Sequence, residues 1–131
     1  SYDEALNILN QVISVDPVNA PAYYYMGWIY SEKMMYTEAL TNHENALILA
    51  PDTHPILLEI GKAHYHLGNY PESLNFIEKS LEINGDNAVV LEHLGDVMMK
   101  INRLSDAKNL YKRALLLDKS NQRLKLKVSS E

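Results

Sequence analysis

Small residues recur along this chain at a fixed interval of 34 positions. One series consists of Gly27, Gly61 and Gly95, and a second consists of Ala5, Ala39, Ser73 and Ala107. Two series that share one interval indicate a chain divided into structural units, each of which packs mainly against its neighbours in sequence. The sequence therefore predicts a repeat protein.

Each full unit carries two runs of apolar and small residues at helical spacing. In the middle unit, Leu57, Ile60, Gly61 and His64 fall at i, i+3, i+4 and i+7, which is the spacing of one face of a helix. The sequence thus predicts a single all-α array over residues 1–131. It divides into the second half of a unit (1–19), three full units (20–53, 54–87 and 88–121) and the start of a further or capping helix (122–131).

The glycines and the turns carry separate structural expectations. A glycine inside a helix costs roughly 0.5–1 kcal/mol relative to alanine, so three at equivalent positions indicate close helix packing that offsets this cost. In the turn between the two helices of a unit, Gly68 and Asn102 suit a left-handed backbone. Met34 occupies the same place, which predicts either another type of turn or mild strain.

Composition excludes several classes of protein. The net charge is -5, from 12 Lys and Arg against 17 Asp and Glu, which argues against generic nucleic-acid binding. There is no cysteine, so a disulfide framework and a thiolate metal site are excluded. No run approaches the ~20 apolar residues that cross a bilayer, so membrane insertion is not expected.

The sequence does not predict a catalytic, metal or cofactor site. It lacks a His-Glu-x-x-His motif, a glycine-rich phosphate loop and a nucleophile elbow. His64 and His66 are two residues apart on one helix, so they cannot bind one ion from the same face. We therefore expect no enzymatic activity and no cofactor.

The periodic positions resemble the tetratricopeptide repeat, a helix–turn–helix unit of 34 residues. The resemblance covers essentially the whole chain. In the middle unit it rests on Leu57, Ile60, Gly61, His64, Gly68, Tyr70, Ser73, Ile77, Ser80 and Gly85. His43 and His64 depart from it, because they stand at usually aromatic places. The resemblance implies a right-handed superhelical solenoid of antiparallel helix pairs, in which the first helix of each unit lines a concave groove.

The resemblance also implies a function, since members of this family mostly bind a peptide or a partner protein in the groove. The groove would be aromatic at its N-terminal end and charged toward its C-terminal end. Its expected residues are Tyr24, Tyr25, Trp28, Leu58, Glu59, Lys62, His66, His93, Asp96 and Lys100. Two structural explanations are alternatives to a binding function for these residues. The aromatic residues would pack against a preceding helix, and Lys62 with Asp96, and Glu59 with His93, would pair across neighbouring helices.

Some members of the family bind a C-terminal carboxylate through Lys, Asn and Arg residues of three consecutive first helices. Arg123 and Lys127 fit that pattern, but Leu58, Lys62 and His93 stand at the remaining places. Two matches out of five do not predict a carboxylate site here.

The N-terminal helix supports an alternative, architectural function. It has no preceding partner helix within the sequence, which predicts that Tyr2, Leu6, Leu9 and Ile13 lack cover. Three explanations compete: the chain is an excerpt of a longer array, this face forms a homodimer, or the helix is a tolerated cap.

Overall fold

The computed structural model describes residues 1–130, and at His54 it describes the backbone alone. Glu131, the last residue of the predicted final segment, lies outside the described residues. These form eight α-helices without a strand, with the bounds α1 (Tyr2–Val15), α2 (Ala20–Glu32), α3 (Tyr36–Leu49), α4 (His54–His66), α5 (Tyr70–Asn84), α6 (Ala88–Lys100), α7 (Leu104–Leu117) and α8 (Gln122–Ser129). Helix starts recur every 34 residues, at 20, 54, 88 and 122 and at 2, 36, 70 and 104.

The helices form a chain of antiparallel pairs. The most extensive packing joins α2 to α3, α4 to α5 and α6 to α7, and each second helix then packs on the first helix of the next pair. The first helices also contact one another, α2 with α4 and α4 with α6. Because the first helices crowd together, the side that they line is the concave side of the array. None of the described helices is both long and apolar enough to span a lipid bilayer.

The glycines lie where the two helices of a pair approach most closely. A Cβ atom built on Gly61 would lie 2.5 Å from Cγ1 of Ile77, and one built on Gly95 would lie 2.6 Å from Cε1 of Tyr111. Both distances are far below van der Waals contact, so a side chain at either glycine would force the helices apart. The close packing predicted from the glycine interval is confirmed.

The turn at Met34 has the same left-handed backbone as the turns at Gly68 and Asn102. The φ angles are 59°, 80° and 64° respectively. Of the two possibilities that the sequence left open, the structure therefore shows strain. A methionine at this φ crowds its Cβ against its own backbone, which glycine avoids.

The face of α1 that lacks cover differs from the predicted one. Leu6 is only 8% exposed and packs with Met26 and Ile29 of α2. Leu9 and Ile13 lie against the same cluster, whereas Tyr2 remains 42% exposed. The expectation was wrong for Leu6, Leu9 and Ile13, because those side chains point toward the following helix.

Apolar residues on another face of α1 are exposed instead. Ile8 is 59% exposed and Val15 is 88% exposed. They lie seven residues apart, which is two turns of a helix, so they share a face.

Candidate functional site

The N-terminal end of the concave side carries three aromatic residues of α2, which are Tyr24, Tyr25 and Trp28. Tyr25 and Trp28 are exposed, at 56% and 43%. The ring of Trp28 also meets Tyr2 of α1 edge to face, with 6.4 Å between the ring centroids. Packing on α1 and exposure to solvent thus coexist at Trp28, and the indole keeps a large accessible surface.

An open cleft of about 350 Å³ lies beside Tyr24 and Tyr25. It is lined by Ala20, Pro21, Tyr24, Tyr25, Ala50, Thr53, Pro55 and Ile56. Tyr24 forms a wall that is held from both sides, since its ring lies 5.6 Å from Tyr25 and 5.5 Å from His43 between centroids. Burial, followed by the charge of Glu59, raises the pKa of the Tyr24 phenol, so it stays neutral and can donate a hydrogen bond.

Lys62 lies at the centre of the concave side. Its Nζ is 3.3 Å from Oε1 of Glu59 on the same helix. Burial, followed by the charge of Lys62, lowers the pKa of His93 to about 4. His93 is therefore neutral at pH 7 and is a poor partner for the Glu59 carboxylate, so the sequence-based pairing of these two residues gains no support.

Asp96 is bound by the following helices and not by Lys62. It accepts a hydrogen bond of 2.6 Å from the hydroxyl of Tyr111, and Nζ of Lys127 lies 2.9 Å from the same oxygen. Burial, and then the hydrogen bond to Asp96, raise the pKa of Tyr111. The expected pair of Lys62 with Asp96 is thus replaced by pairs that each residue makes elsewhere.

Glu92 binds two cationic side chains of α8. Arg123 donates from Nε and Nη2 to the two carboxylate oxygens, at 2.6 and 2.7 Å, and Lys127 donates to Oε2 at 2.7 Å. Hydrogen bonding from Arg123 lowers the pKa of Glu92 to about 2, against the opposing effect of burial. This network ties α8 to α6.

The remaining predicted groove residues divide between core and surface. Leu58 is 8% exposed and belongs to the largest core cluster. The structure thus places it in the packing between units, because its side chain meets the next pair of helices. His66 is exposed and stacks on Tyr36 with centroids 4.3 Å apart, and Lys100 is exposed at the end of α6.

Sequence reasoning missed the network of Glu92, Arg123 and Lys127 because it looked for partners one full interval apart. The ion pairs join residues 31 or 35 positions apart, as in Glu92 with Arg123 and Glu92 with Lys127. The signal for this network would have been opposite charges on successive first helices, separated by one to three positions more or less than the interval of 34.

The network lies beside a second cleft, of about 420 Å³. Its apolar walls include Tyr65, Met99 and Leu104, and Lys108 and Lys127 also line it. Within residues 1–130, leaving out the side chain of His54, no group of three or more His, Asp and Glu residues is placed to hold a metal ion. The arrangement offers aromatic and apolar contact surface with a few hydrogen-bonding groups, which suits recognition of another chain.

Antiparallel helix pairs in series define an α-solenoid, and comparison with known proteins identifies the repeat family to which it belongs. Two tetratricopeptide repeat models match residues 8–41 and 56–84. The small glutamine-rich tetratricopeptide repeat-containing protein 2 of Saccharomyces cerevisiae is 32% identical over 87 residues, which are 66% of this chain and 25% of that protein. The chain belongs to the tetratricopeptide repeat family, whose members are protein–protein interaction modules.

Solved structures confirm the right-handed superhelical solenoid. The crystal structure of MamA matches with a TM-score of 0.90 at 16% identity, over 97% of this chain and 74% of that one. The first tetratricopeptide repeat domain of Spaghetti (RPAP3), bound to the HSP90 peptide SRMEEVD, matches with a TM-score of 0.79 at 17% identity, over 83% of this chain and 86% of that one. The chain spans only 11 to 25% of the length of the curated relatives that it matches first.

Proposed function

We propose that this chain is a non-catalytic interaction module that holds an extended peptide or a partner helix in its concave groove. The observation that carries the proposal is the exposure of Tyr25 and Trp28 on α2, where Tyr25 also lines the open 350 Å³ cleft. Aromatic side chains provide large contact area at a low cost in rotamer freedom, and they dominate the affinity of many interfaces. The fold shared with the peptide-bound domain of RPAP3 supports this use of the groove.

The neighbourhood of the two aromatic residues favours a partner of mixed apolar and polar character. The cleft offers Pro21, Pro55 and Ile56 as apolar walls. Glu59 and Lys62 follow on α4, and they neutralise each other across 3.3 Å. The net charge of -5 makes a protein or peptide partner more favourable than a nucleic acid.

A peptide-display selection followed by calorimetry tests the proposal. The variants Trp28→Ala and Tyr25→Ala should each weaken a selected peptide by about tenfold or more, the effect of losing an aromatic anchor, while the melting temperature changes little. Ile48→Ala is the matched control, because Ile48 is 77% exposed on the second helix α3 and lies off the groove. A large loss of stability with unchanged affinity would contradict the proposal.

A second candidate function is architectural and rests on the exposed face of α1. Ile8 and Val15 present apolar side chains that are 59% and 88% exposed, and such a face favours association with another helix. If it forms a homodimer, Ile8→Asp with Val15→Asp should convert the dimer to a monomer in sedimentation velocity. A wild-type chain that is monomeric at high concentration would exclude the homodimer.

A further inference from the structure

Two cations at the C-terminal end of the concave side, Arg123 and Lys127, are already paired with carboxylates within the protein. The guanidinium of Arg123 is bound at both carboxylate oxygens of Glu92, and Nζ of Lys127 is shared between Glu92 and Asp96. The exposure is asymmetric, since the side chain of Arg123 is 63% exposed and that of Glu92 only 8%. A surface cation therefore reaches inward to a buried anion.

An incoming anion would have to compete with this internal one. A ligand carboxylate that bound Arg123 in place of Glu92 would remove two of the three short hydrogen bonds to Glu92, and one that bound Lys127 would remove the third. Either loss leaves the buried Glu92 charge incompletely paired, which is unfavourable. The charges of Arg123 and Lys127 are consequently less available to a partner, although Arg123 lies at the surface.

We propose that Glu92 is a specificity-determining residue, a built-in anion that makes the groove select against partners presenting a carboxylate at the α8 end. The inference rests on the proposed function and defines the chemistry that this end of the groove rejects: a C-terminal carboxylate or an acidic side chain. An uncharged apolar segment is accepted there, because the adjoining cleft has walls of Tyr65, Met99 and Leu104. The substitution Glu92→Gln removes the anion that holds Arg123, leaves Lys127 with Asp96 as its one remaining carboxylate, and converts this end into an anion-binding site.

Binding of one peptide probe in two forms tests this. The probe is an acetylated hexapeptide of alternating leucine and serine, made either with a free C-terminal carboxylate or with a C-terminal amide, so that the two forms differ in a single carboxylate. Wild-type protein should bind the two forms equally or bind neither. Glu92→Gln should prefer the free carboxylate by about tenfold, the effect of a charge-assisted hydrogen bond. The triple variant Glu92→Gln, Arg123→Gln, Lys127→Gln should lose that preference, which assigns the gain to Arg123 and Lys127.

A measurement on the wild-type protein does not depend on how well the variants fold. The Nε–H group of Arg123 has its own NMR resonance, and saturating amounts of the free-carboxylate probe should leave it unchanged. A shift of that resonance, or a tenfold preference of wild-type protein for the free carboxylate, would overturn the proposal. The proposal would also be overturned if Glu92→Gln showed no preference for the free carboxylate although slow amide exchange at Leu124 showed that α8 was still packed on the array. If α8 detaches in that variant, the wild-type resonance decides.

Failure of the proposed function would look different. It would appear as selected peptides that are indifferent to Trp28 and Tyr25, and the carboxylate preference of Glu92→Gln would still be measurable. The two proposals can therefore fail separately.

Discussion

The imidazole of His43 lies directly against the backbone of Gly27. A Cβ atom on that glycine would lie 2.5 Å from Cε1 of the ring. His43 is fully buried, and neither ring nitrogen has a hydrogen-bond partner among the residues that the structure describes. Burial, followed by the charge of Lys62, lowers its pKa to about 4. The fold thus disfavours the protonated form of this side chain at neutral pH.

Stability should therefore fall as the pH is lowered from about 6.5 to about 4. In this window the unfolded chain binds a proton at His43 and the folded chain does not, so the free energy of unfolding decreases by about 3 kcal/mol across it. His43→Phe removes this contribution. Urea unfolding at pH 7 and pH 4.5 should show a smaller difference for the variant than for the wild type. His93, with its pKa also lowered to about 4, keeps part of the dependence. An equal difference in both proteins would contradict the assignment to His43.

Gly61→Ala should destabilise the protein by about 1–3 kcal/mol, the usual cost of overpacking. The added methyl group would lie 2.5 Å from Cγ1 of Ile77 and 3.3 Å from its backbone nitrogen, so the helix pair must separate. This cost exceeds the gain in helix propensity. Chemical unfolding measures the change. Asn75→Ala, on the exposed face of α5, is the control and should have little effect. A stabilised Gly61→Ala variant would show that the pair adjusts freely.

Tyr111→Phe should lower the free energy of unfolding by about 1–2 kcal/mol. The substitution keeps the buried ring, which is 4% exposed, and removes the hydroxyl that donates to Asp96 at 2.6 Å. A hydrogen bond to a charged group contributes more than one between neutral groups. Tyr25→Phe is the matched control, because Tyr25 is exposed. Thermal and urea unfolding should agree, and equal losses in the two variants would exclude a special contribution from Asp96.

Met34→Gly should stabilise the protein by about 0.5–1 kcal/mol. The left-handed backbone at φ 59° is unfavourable for methionine, and glycine relieves this at a smaller cost in unfolded-state entropy. The neighbouring Met35→Gly tests the explanation, since Met35 has φ -98° and should lose stability on the same substitution. Differential scanning calorimetry of both variants gives the comparison. A loss of stability in Met34→Gly would show that contacts of the methionine side chain outweigh the strain.

The interval of 34 residues made the helix pairs and their closest contacts predictable. Gly27, Gly61 and Gly95 indicated the places where helices approach, and each now faces a bulky side chain sixteen positions later. Local preferences and a repeated pattern contain this information, because every unit solves the same packing problem with its neighbour. The same pattern, together with the family resemblance, also predicted an aromatic N-terminal end of the groove.

The ion pairs on the charged side of the groove could not be predicted from the interval of 34 residues. Glu92 meets Arg123 and Lys127, at intervals of 31 and 35 residues, whereas the sequence pointed to partners 34 apart. Long flexible side chains choose among several acceptors within reach, and the offset between neighbouring helices decides which one lies at hydrogen-bond distance. The same offset places Leu58 in the core.

The sequence by itself determined the number, length and order of the helices and the small residues that let them pack, because these depend on a periodic pattern along the chain. The tertiary structure alone decided which charges neutralise each other, which face of α1 remains uncovered and where a histidine is buried without a hydrogen-bond partner among the described residues. Those features depend on distances between residues of different helices, and such distances exist only once the helices are stacked.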